Sequence, residues 1–130
     1  MTGRQPEKSR VFLVEDEALV AMLLEDMLAE LGCVPSCTAS SLAEGIEQVA
    51  SVEADIAIID VNLGGEPSFP IAERLAARGI PVVFSTGYGA SDLPPAWRDR
   101  PIVAKPFTTE GLRAALAEVF DAPRAADTPA

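Results

Sequence analysis

The feature of this 130-residue sequence that most restricts its fold is a continuous apolar run from Asp55 to Val61 (DIAIIDV). Its β-branched side chains leave no polar face, and such strands are typical of the middle of parallel sheets that helices cover on both sides. A second apolar run, Arg10 to Val14, precedes a stretch from Glu17 to Leu31 that has helical spacing. The sequence therefore predicts strands that alternate with helices.

The alternation continues through the rest of the chain. Three further strands are predicted, at Cys33 to Thr38, Ile80 to Ser85 and Pro101 to Ala104. Pro35 favours an edge position for the first of them, because proline cannot donate a hydrogen bond to a strand ladder. Five strands that alternate with helices predict a doubly wound α/β domain with a parallel sheet and helices on both faces.

Capping and breaking residues mark the remaining helices. Ser41 and Glu44 form a capping-box pattern before the second helix, and Thr108 can cap a last helix that reaches Phe120. The third helix is predicted from Phe69 to Arg78. The stretch from Gly87 to Arg100 contains two glycines and a Pro94-Pro95 pair, so we expect the fourth helix to be short or irregular.

Composition limits the class of protein. The length fits one domain, which we place at residues 10–121 between a flexible N-terminal segment, 1–9, and a flexible tail, 122–130, with no room for an output domain. A formal charge of -10 argues against direct binding to DNA or to anionic membranes. The absence of a membrane span or signal sequence predicts a cytoplasmic protein. Cys33 and Cys37 are expected to be reduced packing thiols.

Polar residues follow four of the predicted strands at the points where those strands end. Glu15 and Asp16 follow the first strand, Asp60 closes the third, Thr86 follows the fourth and Lys105 follows the fifth. Ligands bind at the carboxyl ends of the strands in such sheets, so these side chains are predicted to meet in one pocket. Clustered carboxylates repel one another, and Mg²⁺, which prefers oxygen ligands, relieves that repulsion. With a lysine beside it, the pocket is suited to phosphate.

These residues, with Lys105 continuing into a Lys-Pro-Phe sequence, resemble the signature of response-regulator receiver domains over roughly residues 10 to 120. The resemblance implies a flavodoxin-like fold with strand order 2-1-3-4-5. The segment Val83 to Tyr88 also resembles the receiver subgroup known for a Phe-Ala-Thr-Gly-Tyr motif, with Ser85 at the alanine position. In that subgroup the fourth helix is often irregular, and members are commonly linked to histidine kinases of the HWE or a related class.

The resemblance implies a role for each carboxylate. Asp60 would accept a phosphoryl group from the phosphohistidine of a sensor histidine kinase or from a phosphotransfer protein. Asp16 would bind Mg²⁺ directly and Glu15 mainly through water. The backbone carbonyl of Asn62 is the implied third protein ligand, and its side chain is expected to face outward.

The resemblance also covers the phosphoryl-binding side. Thr86 would donate its hydroxyl to one phosphoryl oxygen and Lys105 its ammonium to another. Pro106 stands where the family has a cis peptide bond, which would aim the lysine into the pocket. Phe107 is expected to be a packing residue.

The sequence departs from the family pattern in the region that signals phosphorylation. Ile102 occupies the position of a switching tyrosine or phenylalanine, so rotation of an aromatic ring cannot occur there. Tyr88, two residues after Thr86, is a candidate for reporting phosphorylation, although a packed loop tyrosine is a comparable alternative. Gly64 replaces a proline often found four residues after the acceptor, which leaves that loop freer to move.

The function that these residues predict is a single-domain response regulator, which is not a turnover enzyme but assists its own phosphorylation and dephosphorylation. It would signal by changing its affinity for a downstream protein. One alternative is a receiver-like adaptor that works without phosphorylation, but such adaptors usually lose a pocket residue and none is lost here. Another is a Mg²⁺-dependent phosphohydrolase, which would need a second acid near Asp60, where position 62 is asparagine.

Overall fold

The structure, a computed structural model, describes residues 8–87 and 89–121. The prediction for Tyr88 lies outside these residues, as does most of what was expected for the two terminal segments. Among the residues described, no helix is long and apolar enough to cross a membrane.

The centre of the fold is a five-stranded parallel sheet, as the sequence predicted. Its strands are β1 (Arg10–Val14), β2 (Val34–Ala39), β3 (Ile56–Asp60), β4 (Val82–Thr86) and β5 (Ile102–Ala104). The order across the sheet is β2-β1-β3-β4-β5, and all neighbouring strands are parallel. This confirms the flavodoxin-like order. β2, which contains Pro35, lies at an edge, and every residue of β3 is buried.

Within the described residues, four helices cover the sheet: α1 (Ala18–Glu30), α2 (Leu42–Val49), α3 (Phe69–Ala77) and α4 (Thr109–Asp121). On one face, α2 and α3 bury Val49, Ile71 and Leu75 against alternate residues of the strands. On the other face, the buried side chains of α1 and α4, such as Leu24 and Leu112, cover the remaining strand residues. The other strands therefore send successive side chains to opposite cores, which is the two-residue period of a strand, whereas alternate residues of the edge strand β2 are exposed.

One local prediction, the capping box, differs from the structure. The Ser41 hydroxyl accepts the Glu44 backbone N–H at 3.1 Å, but the Glu44 carboxylate reaches the N–H of Ser40, one residue before the cap, and so does not close a capping box. Helix α1 is apolar on more than one side. Leu23 has the spacing of the inward face yet is 45% exposed, and its apolar neighbours Leu19 and Met22 are more exposed still.

The segment after β3 is a hairpin and not the open loop that was expected. Asn62–Leu63 pairs antiparallel with Glu66–Pro67, and the two glycines between them have φ values of 61° and 96°. Positive φ at both central residues is typical of a type I′ turn, which glycine adopts without steric cost. The two glycines, Gly64 and Gly65, therefore allow this tight reversal directly beside Asp60.

An irregular segment takes the place of a fourth helix between β4 and β5, as predicted. It contains two short 3₁₀ turns, Gly89–Asp92 and Pro95–Trp97. Trp97 is buried against Phe69 and Phe84, with ring centroids 6.5 and 5.7 Å away, and the Arg100 guanidinium lies over its outer face. This aromatic cluster fixes the irregular segment to the sheet without a regular helix.

Candidate phosphoryl-acceptor and metal site

The candidate site is a cavity of about 470 Å³ at the carboxyl ends of the strands. It is lined by the last residues of β3 and β4 and by the segments that follow β1, β3, β4 and β5: Asp16, Glu17, Asp60, Val61, Asn62, Thr86, Gly87 and Lys105. The structure thus brings together residues that are up to 89 positions apart in the sequence between Asp16 and Lys105. Parallel strands place their carboxyl ends at one edge, which is the reason for this convergence.

Three carboxylates cluster at the site. Glu15, Asp16 and Asp60 each offer an oxygen, and these three oxygens lie within 4.8 Å of one another. Glu15 and Asp60 are buried, whereas Asp16 is exposed. Negative charges at this separation repel strongly in a poorly hydrated environment, so the cluster requires compensating positive charge.

Glu15 is the most unusual of the three, because only 1% of its surface is exposed. Its Oε2 accepts the backbone N–H of Glu17 at 3.1 Å, but its Oε1 has no hydrogen-bond partner among the described residues. Burial raises the pKa of Glu15 to about 7, and the charge of Asp60 adds to that rise, against the opposing effects of the Glu17 N–H and Lys105. The environment therefore disfavours an isolated negative charge at Glu15.

Lys105 supplies positive charge inside the cluster. Its Nζ donates to Asp60 Oδ2 at 2.8 Å and lies 3.5 Å from Glu15 Oε1, an ion-pair contact without hydrogen-bond geometry. Burial lowers the pKa of Lys105, but the hydrogen bond to Asp60 and the two negative charges outweigh that effect, so the pKa is raised overall. The Lys105–Pro106 peptide bond is cis, and the Lys105 N–H bonds the carbonyl of Thr86 at 3.1 Å.

The hairpin after β3 is tied to both acidic loops. The Asn62 N–H donates to Asp60 Oδ1 at 3.2 Å, and the Gly64 N–H donates to Asp16 Oδ2 at 3.0 Å. The Asn62 side chain is exposed and accepts the Gly65 N–H at 2.6 Å, so it stabilises the turn. Sequence reasoning missed this hairpin, although the Gly-Gly pair between Leu63 and Glu66 is a signal for it.

The donor set fits a hard divalent cation. Mg²⁺ takes oxygen ligands and commonly combines one or two carboxylates with water and phosphate. The three clustered carboxylates provide such oxygens, and one of them, the buried Glu15 Oε1, has no hydrogen-bond partner among the described residues. A cation bound there would compensate the negative charge of the cluster. Asp16, Asp60 and, through water, Glu15 are the side chains that would hold the ion.

The remaining predicted residues lie near the site in different ways. Thr86 is buried at the end of β4 and lines the cavity. Ile102 is half-buried against the core that contains Phe84 and Trp97, and it is paired with Phe84 in the β4–β5 register. Trp97, on the preceding irregular segment, packs edge-on against Phe84 in this region. Pro106 leads into Phe107, which is buried in the core under α1 and α4, as a packing residue should be.

The fold and this site define the response regulator receiver class. The response regulator receiver domain family matches residues 11–117, and the chain belongs to that family. Among solved structures, SdrG from Sphingomonas melonis Fr1 is similar at 45% identity with a TM-score of 0.76, covering 88% of this chain and 97% of that one. SdrG has also been solved in a BeF3-activated conformation, which matches with a TM-score of 0.75.

Two further relatives support the assignment. The receiver domain of the PhyR response regulator from Erythrobacter litoralis is 27% identical, with a TM-score of 0.78, and the match covers 95% of this chain and 98% of that one. The transcriptional regulatory protein PdtaR from Mycobacterium tuberculosis is 32% identical over 111 residues, or 82% of this chain. The chain spans about half of that curated relative, 54% of its length.

Proposed function

We propose that this receiver domain accepts a phosphoryl group on Asp60 in the presence of Mg²⁺, from the phosphohistidine of a sensor kinase or of a phosphotransfer protein. The single observation that carries the proposal is the contact of Lys105 Nζ with Asp60 Oδ2 at 2.8 Å, inside a cluster of three carboxylates. A strand-end aspartate that only caps a loop would not need a half-buried lysine and two more acids around it.

The proposed transfer uses the residues of the cavity. One oxygen of the Asp60 carboxylate attacks phosphorus, the bond from phosphorus to the partner's histidine nitrogen breaks, and the electron pair leaves with the imidazole. Mg²⁺ bound by the acidic cluster would neutralise charge on the phosphoryl oxygens. Lys105 and the Thr86 hydroxyl, both at the cavity wall, would donate to those oxygens.

The proposed output is a change in affinity for another protein. The surface of α1 beside Asp16 exposes Leu19 and Met22 at 80% and 58%, and α1 contains no basic residue. Apolar side chains next to acidic ones are a surface that a basic protein partner can cover. With the net charge of -10, this supports a protein partner and argues against direct contact with DNA.

The test is mass spectrometry after incubation with acetyl phosphate and MgCl₂. We expect one added phosphoryl group in the wild type and none in Asp60→Asn, which keeps the side-chain size but loses the nucleophile. Asp26→Asn, an exposed acid on α1, is the matched control and should be labelled like the wild type. Equal labelling of Asp60→Asn would disprove the assignment of the acceptor.

A further inference from the structure

Next to Asp60 lies a second buried oxygen without a hydrogen-bond partner among the described residues, and it belongs to a residue that has no role in the proposed phosphoryl transfer. Ser85, in β4, is 1% exposed, and its Oγ has no hydrogen-bond partner within the described part of the chain. A buried hydroxyl without a partner is destabilising, because it gives up water without a replacement. Such a group in a native structure calls for an explanation.

The register of the sheet places Ser85 beside Asp60 on the same face. Asp60 and Ser85 are paired residues of the parallel strands β3 and β4. The residues two positions earlier, Ile58 and Val83, both belong to the core under α1 and α4. Because strand side chains alternate, Asp60 and Ser85 point to that same side. The Lys105 ammonium reaches Asp60 from the residue directly after β5.

The two carboxylate oxygens of Asp60 already have donors in this structure. The Asn62 N–H bonds Oδ1, and the Lys105 ammonium bonds Oδ2. When phosphorus bonds to Oδ1, that oxygen becomes the bridging oxygen of the acyl phosphate, and Oδ2 becomes the carbonyl oxygen, which still accepts a hydrogen bond. If Lys105 turns to the phosphoryl group, its contact with the Asp60 oxygen is given up. The Asp60 oxygen then lacks a hydrogen-bond donor. Ser85, the residue paired with Asp60 on the neighbouring strand, carries a hydroxyl that can take this place.

We propose that Ser85 is a positioning residue for phosphorylated Asp60, whose hydroxyl donates to the oxygen that Lys105 leaves. This inference rests on the proposed function. The proposed role explains why a buried hydroxyl that has no partner in the free state lies on the strand next to Asp60 and on the same face of the sheet. It also separates Ser85 from Thr86, which lies on the opposite side of β4 by the same alternation and lines the cavity.

The experiment is a titration of the full chain with beryllium fluoride in saturating MgCl₂, followed by NMR of the backbone amides next to Asp60. In Ser85→Ala we expect affinity for beryllium fluoride to fall about three- to ten-fold, the range for one lost hydrogen bond. Affinity for Mg²⁺ alone should not change, since Ser85 has no contact with the other carboxylates in the proposal. Thermal stability without ligand should be equal or higher, because an unpaired buried hydroxyl is removed.

Ser68 offers a matched control. Its hydroxyl is also fully buried and unpaired among the described residues, but it lies at the start of α3 and does not line the cavity. Ser68→Ala should therefore bind beryllium fluoride like the wild type. Wild-type affinity in Ser85→Ala, or an equal loss in Ser68→Ala, would overturn the role of Ser85 while leaving the acceptor intact. Failure of the wild type to bind, or equal binding by Asp60→Asn, would overturn the proposed function itself.

Discussion

Replacement of Lys105 by methionine tests whether the acidic cluster depends on the lysine charge. The side chain keeps most of its length but loses the ammonium that contacts Asp60 Oδ2 at 2.8 Å and Glu15 Oε1 at 3.5 Å. The raised pKa of Lys105 shows that the folded protein favours the charged lysine. At neutral pH, well below the pKa of a free lysine, that stabilisation is fully present.

The size of the effect follows from the contact. A hydrogen bond between charged groups contributes roughly 1.5–3 kcal/mol. The Lys105 side chain is 26% exposed, and water screens part of the interaction, so we expect a loss of about 1–2 kcal/mol in the free energy of unfolding. For a domain of this size that corresponds to a decrease in Tm of about 4–8 °C without divalent cations.

The assay is urea unfolding of wild type and Lys105→Met, with and without MgCl₂. Because Mg²⁺ would provide the missing positive charge, the difference between the two proteins should shrink when MgCl₂ is saturating. Arg113→Met, which removes an exposed cation on α4, is the control and should show little loss in either condition. A loss for Lys105→Met that is unchanged by MgCl₂ would refute the argument that this lysine compensates the metal-binding carboxylates.

Three other substitutions test separate parts of the structure. Asp16→Asn keeps an acceptor for the hairpin but removes a charge, so the thermal stabilisation by MgCl₂ should largely disappear; an undiminished shift would place the ion elsewhere. Gly45→Ala should lower the free energy of unfolding in urea by about 1–3 kcal/mol, because the new Cβ overlaps the buried Ile71 side chain. An unchanged free energy would mean that the Ile71 side chain can move aside without loss of stability. Ser41→Ala should cost about 1 kcal/mol through loss of the Glu44 N–H cap; unchanged stability would show that the cap contributes little.

The sequence was sufficient to predict the alternating α/β architecture because the signals that define it are local, whereas the strand order was predicted from the resemblance to receiver domains. The apolar run of β3 predicted a buried central strand, Pro35 predicted an edge strand, and the Pro94-Pro95 pair predicted an irregular fourth helix; the structure confirms all three. The residues of the candidate site could also be named, since a position directly after a strand is visible in the spacing alone. Such patterns depend only on residues close together in the sequence, so they can be recognised without knowledge of the fold.

The properties that come from contacts between distant segments were decided by the tertiary structure. The raised pKa of Glu15 depends on how deeply the sheet buries it and on its distance from Asp60 and Lys105. The anchoring of the hairpin to Asp16 joins residues 48 positions apart. The place of Ser85 beside Asp60 depends on the register of two strands, because a shift of one residue would turn its hydroxyl to the opposite core. Distances across a sheet are set by pairing and packing, and no local pattern in the chain encodes them.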